Sequence, residues 1–70
     1  MNDFKKVEGL NAIVIAEKQN IILAMRCVYD GYEYVTWQKD IKGGVCLGHY
    51  FDDFLDAVKD FVQRSEKALN

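Results

Sequence analysis

The spacing of apolar residues changes once along this chain, and that change constrains the fold more than any other feature. Up to Phe51, apolar side chains occur in four short runs rich in β-branched and aromatic residues, at 12–17, 21–29, 32–39 and 45–51. Beyond Phe51 the spacing becomes helical. The residues of the helical stripe are Phe54, Leu55, Val58, Phe61, Val62 and Leu69. The pattern predicts four strands followed by one amphipathic helix.

The gaps between the four runs carry residues that favour tight turns. Asp30-Gly31 is a strong hairpin signal, Gln19-Asn20 is a weaker one, and the segment 40–44 ends in two glycines. Strands joined by short turns pair antiparallel, which predicts a four-stranded antiparallel β-meander. We therefore expect an α+β domain (ββββα) spanning 1–70. The meander occupies 12–51, a helix at 53–68 packs on one face, and 1–10 is loosely specified.

The apolar pattern also selects a strand register, because a slip of one residue exchanges the two faces of a strand. A three-residue loop at 29–31, with Gly31 in a left-handed bulge position, gives the cleaner core. It pairs Val28 with Tyr32, Met25 with Val35, and Leu23 with Trp37. A matching loop at 18–20, with Asn20 left-handed, sets Ile13 and Ile15 beside Met25 and Leu23. The predicted helix-covered face holds Ile13, Ile15, Leu23, Met25, Val35, Trp37 and Leu47. Asp52 or Asp53 is expected to cap the helix.

In this register the opposite face of the sheet stays open and is unusually apolar. Its candidate interaction surface comprises Ile22, Arg26, Val28, Tyr32, Tyr34, Thr36 and Tyr50. A contiguous patch of this kind marks a partner site. Three occupants of this face are compatible with the sequence: the N-terminal segment, with Phe4, Val7 and Leu10, folds across it, two sheets stack in a homodimer, or another protein binds there. Since a chain this short gains stability from self-association, we expect a noncatalytic protein-protein interaction module. It is predicted to self-associate through the open face or an edge strand.

Two other functions are compatible with the same residues. Tyrosines beside an arginine on an open sheet can stack unpaired bases, so a single-stranded nucleic-acid-binding accessory protein is one alternative. The net charge of −2, with eleven acidic and nine basic residues, argues against it because phosphate contacts supply most of such affinity. An acidic strip at Asp53, Asp56 and Asp60 suggests the other, an inhibitor that occupies the basic groove of a nucleic-acid-binding enzyme.

Residues with catalytic or metal-binding chemistry are few. Cys27 and Cys46 are too few for a disulfide scaffold, lack zinc-site spacing, and are expected about 10 Å apart as reduced thiols. No phosphate-binding loop, nucleophile elbow or zinc-protease motif occurs. We expect no enzyme activity, catalytic residue, cofactor or small-molecule substrate. With neither a signal peptide nor a membrane span in the sequence, a cytoplasmic protein is expected.

His49 is the only histidine in the chain and precedes three aspartates. His49 with Asp52, Asp53 and Asp56 could in principle bind a divalent metal or form an acid/base pair. The spacing matches no defined motif, and aspartates at a helix start serve as caps. The prediction is local capping and no metal.

Two segments carry a family resemblance. Tyr34-Val35-Thr36-Trp37 and Gly48-His49-Tyr50-Phe51, followed by two aspartates and a helical pattern, resemble small uncharacterised proteins of bacterial phages and mobile elements. The resemblance covers roughly the second half of the chain. It implies a bacterial, cytoplasmic accessory protein with an interaction role, and it supplies no site residues.

Overall fold

The computed structural model describes residues 6–7 and 11–67, which form one antiparallel sheet and one helix. The strands are β1 (Lys6–Val7), β2 (Ala12–Lys18), β3 (Ile21–Val28), β4 (Gly31–Lys39) and β5 (Val45–Phe51), and α1 spans Phe54–Lys67. Each strand pairs with its neighbour in sequence. The predicted ββββα meander is confirmed as β2 to β5 and α1. The short β1 adds a fifth strand beside β2.

The described residues contain no helix that is both long and apolar enough to span a membrane. Asp53 is the N-cap of α1: its Oδ1 accepts a hydrogen bond from the Leu55 amide at 3.2 Å, and its carbonyl accepts one from the Ala57 amide at 3.2 Å. A carboxylate that accepts the free amide of the first turn is the usual N-cap arrangement. The predicted cap at Asp53 is confirmed. The predicted helix end at Ala68 lies outside the described residues.

The first hairpin turn is one residue shorter than predicted. Lys18 pairs with Ile21, so the loop consists of Gln19 and Asn20, whose φ angles are 52° and 67°. Two left-handed residues in a two-residue loop give a turn whose twist matches that of paired strands. The left-handed Asn20 is confirmed, and the three-residue loop is wrong.

The second hairpin is also tighter, and this overturns the predicted register. Val28 pairs with Gly31 across a loop of Tyr29 and Asp30. Gly31 enters β4 as its first paired residue instead of forming a bulge. Trp37 therefore lies opposite Ile22. The predicted pairs of Leu23 with Trp37, Met25 with Val35 and Val28 with Tyr32 are each wrong by one residue, which exchanges the faces.

Buried side chains consequently occupy both faces of the sheet. The face away from α1 holds the buried cluster Ala12, Ile22, Ala24, Val35 and Trp37, with Val14 and Val45 packed against it. The face toward α1 holds Ile21 and Leu23, while α1 packs over β3, β4 and β5 and buries Ala57. The predictions that α1 covers Val35 and Trp37, and that the other face is open at its centre, are both wrong.

Two bulges complete the departure from the predicted register. In β2 an irregularity falls at Ile15, so Ile13 pairs with Met25 as predicted, but Ala16 rather than Ile15 faces Leu23. Ile15 is 44% exposed instead of buried in the core.

The second bulge lies in β5, where Leu47 and Gly48 together oppose Trp37. A Cβ on Gly48 would lie 2.8 Å from both Trp37 Nε1 and Tyr50 Oη, so only glycine fits beside these rings. Leu47 has a φ of 54° and is 65% exposed, which corrects its predicted place in the core.

Leu47 is therefore a site where substitution should stabilise the protein. A left-handed conformation is costly for leucine and much less so for asparagine. Because the leucine side chain is mostly exposed, little burial is lost. We expect Leu47→Asn to raise the free energy of unfolding by about 0.5 to 1 kcal/mol in urea denaturation. Ile41→Asn, at an exposed residue of the β4–β5 loop without positive φ, should leave the free energy of unfolding unchanged.

Candidate functional site

A cluster of polar side chains joins α1 to the sheet. Thr36 is fully buried, and its hydroxyl donates to Asp60 Oδ2 at 2.5 Å. Arg64 Nη1 donates to the Thr36 carbonyl at 3.0 Å and to its hydroxyl oxygen at 3.1 Å. Thr36 was predicted on the open surface. The observed register instead turns it toward α1, where it fixes the helix in place.

His49 belongs to the same cluster. It pairs with Thr36 across β4 and β5, and its Nδ1 lies 2.9 Å from Asp60 Oδ2. The sequence had grouped His49 with Asp52, Asp53 and Asp56. The structure pairs it with Asp60 because α1 runs back over the sheet and brings its second turn above β5. The missed signal was the polar pair Asp60 and Arg64, four residues apart beside the apolar stripe.

The carboxylate of Asp60 has a perturbed acidity. Burial acts to raise its pKa, but the hydrogen bonds from Thr36 and His49, with the charges of His49 and Arg64, outweigh that effect. The pKa of Asp60 is therefore below its ordinary value, since hydrogen bonds to a charged form stabilise it. Asp60 consequently remains ionised at neutral pH and accepts hydrogen bonds from Thr36 of β4 and His49 of β5.

The geometry resembles an acid/base pair only in part. A carboxylate on Nδ1 orients a histidine ring and leaves Nε2 for exposed chemistry. The hydroxyl of Thr36, however, bonds to Asp60 and is buried away from solvent. Among residues 11–67, no group of three or more His, Cys, Asp or Glu side chains could hold a metal ion. The cluster acts as a polar lock between α1, β4 and β5.

On the other face, an aromatic pair lies beside the buried cluster. The Tyr50 ring meets Trp37 edge-on, with centroids 6.5 Å apart at 88°. Arg26 lies 5.4 Å from the centroid of the Tyr50 ring and donates to Glu33 at 2.7 Å. Arg26, Glu33 and Tyr50 thus form a charged and aromatic group beside apolar side chains that are themselves buried, including Ile22.

The seven predicted surface residues are divided between two faces. Ile22, Arg26, Val28 and Tyr50 lie away from α1, whereas Tyr32, Tyr34 and Thr36 lie toward it. Tyr34 packs on Phe54 with centroids 5.2 Å apart, and Tyr32 is 59% exposed. The tyrosines therefore form no common stacking platform of the kind the nucleic-acid alternative requires.

The acidic strip is divided in a similar way. Asp60 turns inward to Thr36 and His49, and Asp53 caps the helix. Asp56 remains exposed. The side chains do not project as one row of carboxylates, which removes the geometric basis for mimicry of a nucleic-acid backbone.

The outer edge of β5 is the most distinctive surface. Among the described strands β5 pairs only with β4, and its seven residues include no Lys, Arg, Asp, Glu or Pro. Tyr50 on this strand is 51% exposed. The opposite edge differs, because β1 has two residues, one of them Lys6, and the neighbouring part of β2 carries Glu17 and Lys18.

Both cysteines are free, as the sequence predicted, and both are exposed, which corrects the prediction that Cys27 lies on the core side of its strand. Cys27 lies at the end of β3 and Cys46 lies on β5, with β4 between them. Cys46 Sγ is 3.6 Å from the Gln38 carbonyl oxygen.

No protein-family model, curated protein or solved structure matches this chain. The fold and site define its class directly: a small α+β protein with an antiparallel meander, a helix locked on by a polar cluster, and an uncharged edge strand.

Proposed function

We propose that this protein is a noncatalytic interaction module that self-associates by pairing the β5 strands of two copies. The uncharged edge of β5 carries this proposal. An edge strand presents unpaired amide and carbonyl groups, and proteins that stay monomeric usually blunt such edges with lysine, proline, short strands, bulges or inward charges. β5 lacks charged and proline residues, and its bulge is confined to Leu47 and Gly48.

The choice of a second copy as the partner follows from symmetry and size. An antiparallel strand pair is self-complementary, so a two-fold axis beside β5 joins two identical edges into one continuous sheet. A 70-residue chain has limited burial of its own. Pairing two edges adds hydrogen bonds and apolar contacts without requiring either buried sheet face to open.

The bulge at Leu47 and Gly48 sets where the strands can pair. Bulges interrupt the regular hydrogen-bond ladder, so the part of β5 nearest the bulge is less suited to pairing with a second copy. The regular segment from His49 to Phe51 remains. Tyr50 projects from one face of this segment, and Phe51 projects from the other, so contact on both faces of the joined sheet accompanies backbone pairing.

Two half-exposed tyrosines offer a matched test of this interface. Tyr50→Lys places a charge at the centre of the proposed pairing segment, and two-fold pairing brings the two introduced charges near each other. Tyr32→Lys places the same charge at a similarly exposed residue of β4, which already has a neighbouring strand on each side. We expect light scattering to give twice the 8.1 kDa chain mass for the parent protein and for Tyr32→Lys. For Tyr50→Lys we expect the dimer to dissociate already at concentrations at least about tenfold higher than those at which the parent dimer dissociates.

Circular dichroism would verify that both variants stay folded. A parent protein that remains monomeric at several hundred micromolar would contradict the proposal. So would equal dimer strength in the two lysine variants, since that would place the interface away from β5.

A further inference from the structure

A cavity of about 460 Å³ opens at the end of the molecule where the β2–β3 turn meets the end of α1. It is lined by Gln19, Asn20, Ile21, Gln38, Arg64 and Lys67. The volume lies within the range of small-molecule sites, roughly 300 to 1,000 Å³. None of the described residues that line it is a carboxylate. A net-acidic protein thus has a cavity lined by two cations and three amides.

The walls of this cavity are held in place by hydrogen bonds. The Lys39 amide donates to the Asn20 carbonyl at 2.8 Å, which ties the β2–β3 turn to β4. Arg64 is half-buried, and its Nη1 is fixed by two bonds to Thr36. None of the described residues accepts a hydrogen bond from its Nε or Nη2, so these donors remain for another partner. An arginine anchored in this way loses little freedom when it binds an anion.

The donor set favours a particular class of anion. Arg64 and Lys67 supply two positive charges, which match a phosphate monoester carrying a charge of about −1.5 to −2 at neutral pH better than a single carboxylate. Guanidinium groups bind phosphate oxygens through two parallel hydrogen bonds. The side-chain amides of Gln19, Asn20 and Gln38 can both donate and accept, which suits hydroxyl groups next to the phosphate.

We propose that this cavity binds a small phosphate monoester that carries hydroxyl groups, with Arg64 and Lys67 on the phosphate and the amides on the hydroxyls. The proposal is independent of pairing through β5, which uses a different part of the molecule. Arg64 then has two roles, because one nitrogen locks α1 to Thr36 and the others face the ligand.

The test is an amide chemical-shift titration of the ¹⁵N-labelled full chain with glucose 6-phosphate at constant ionic strength. Glucose and acetate serve as comparison probes for hydroxyls without phosphate and for a single negative charge. We expect saturable shifts at Gln19, Asn20, Ile21, Gln38 and Lys67 with the phosphate ester only.

Two lysine variants distinguish binding of the phosphate ester in the cavity from general electrostatic attraction of an anion to the protein surface. Lys67→Gln removes a cation from the cavity, while Lys59→Gln removes one from an exposed position of α1 outside it. We expect glucose 6-phosphate to bind about tenfold more weakly to Lys67→Gln and unchanged to Lys59→Gln. Linear shifts without saturation, equal binding of acetate or glucose, or equal weakening in both variants would each overturn the proposal.

Discussion

Trp37→Ala should remove most of the stability of this protein. Trp37 is 3% exposed and packs against Ile22 and Val35 in the cluster away from α1. Truncating a buried tryptophan typically costs about 3 to 5 kcal/mol. A 70-residue domain has about 4 to 10 kcal/mol in total. Urea denaturation followed by circular dichroism should show a midpoint near zero denaturant or a chain unfolded in water.

Tyr50→Ala provides the comparison, because Tyr50 contacts the Trp37 ring edge-on but is half exposed. Its loss should cost about 1 kcal/mol. If Trp37→Ala lost no more stability than Tyr50→Ala, the cluster away from α1 would not be a core. That result would also contradict the strand register that places Trp37 opposite Ile22.

Asp60→Ala should produce the second largest effect by breaking the polar lock. The substitution removes the acceptor used by the buried Thr36 hydroxyl and by His49. Leaving the buried Thr36 hydroxyl without an acceptor, with loss of the hydrogen bond from the half-exposed His49, costs about 2 to 4 kcal/mol. The free energy of unfolding at pH 7 is the measurement. Asp56→Ala, one turn earlier and exposed, should change it by about 0.5 kcal/mol or less.

Asp60→Ala should also change how the free energy of unfolding depends on pH in acid. The pKa of Asp60 is lowered in the folded protein, so over the range between its folded and unfolded pKa values the unfolded chain binds more protons. The stability that Asp60 contributes is therefore present above the unfolded pKa of about 3.9 and is lost as pH falls through the folded value. The difference in the free energy of unfolding between the parent protein and Asp60→Ala should become smaller below about pH 4. A difference that stays constant down to pH 2 would show that Asp60 acts through packing alone.

The order and type of the elements follow from local properties that the sequence carries by itself. Four runs of β-branched and aromatic residues, a helical stripe after Phe51, and a carboxylate at Asp53 each act within a few residues of chain. Left-handed Asn20 is a local property of the same kind. These predictions succeeded because propensity, capping and turn chemistry need no knowledge of distant neighbours.

The faces of the sheet were decided by tertiary structure. Two alternative loops, both compatible with Asp30-Gly31, differ by one residue, and the sequence pattern favoured the one that set Leu23 and Met25 beside Trp37 and Val35. The structure instead pairs Trp37 with Ile22 and leaves Thr36 facing α1. In the observed register Thr36 can form hydrogen bonds with both Asp60 and Arg64. These bonds stabilise the protein only when β4 and α1 are in contact.

The polar lock and the cavity depend on the same tertiary event. His49 and Asp60 are eleven residues apart, and Thr36 and Arg64 are twenty-eight apart, so no local pattern links them. Periodicity specifies which residues alternate, whereas a register is fixed by the sum of contacts across two faces. The sequence by itself therefore determined the strands, helix and caps of this protein, and packing of α1 on β4 and β5 decided which side chains meet.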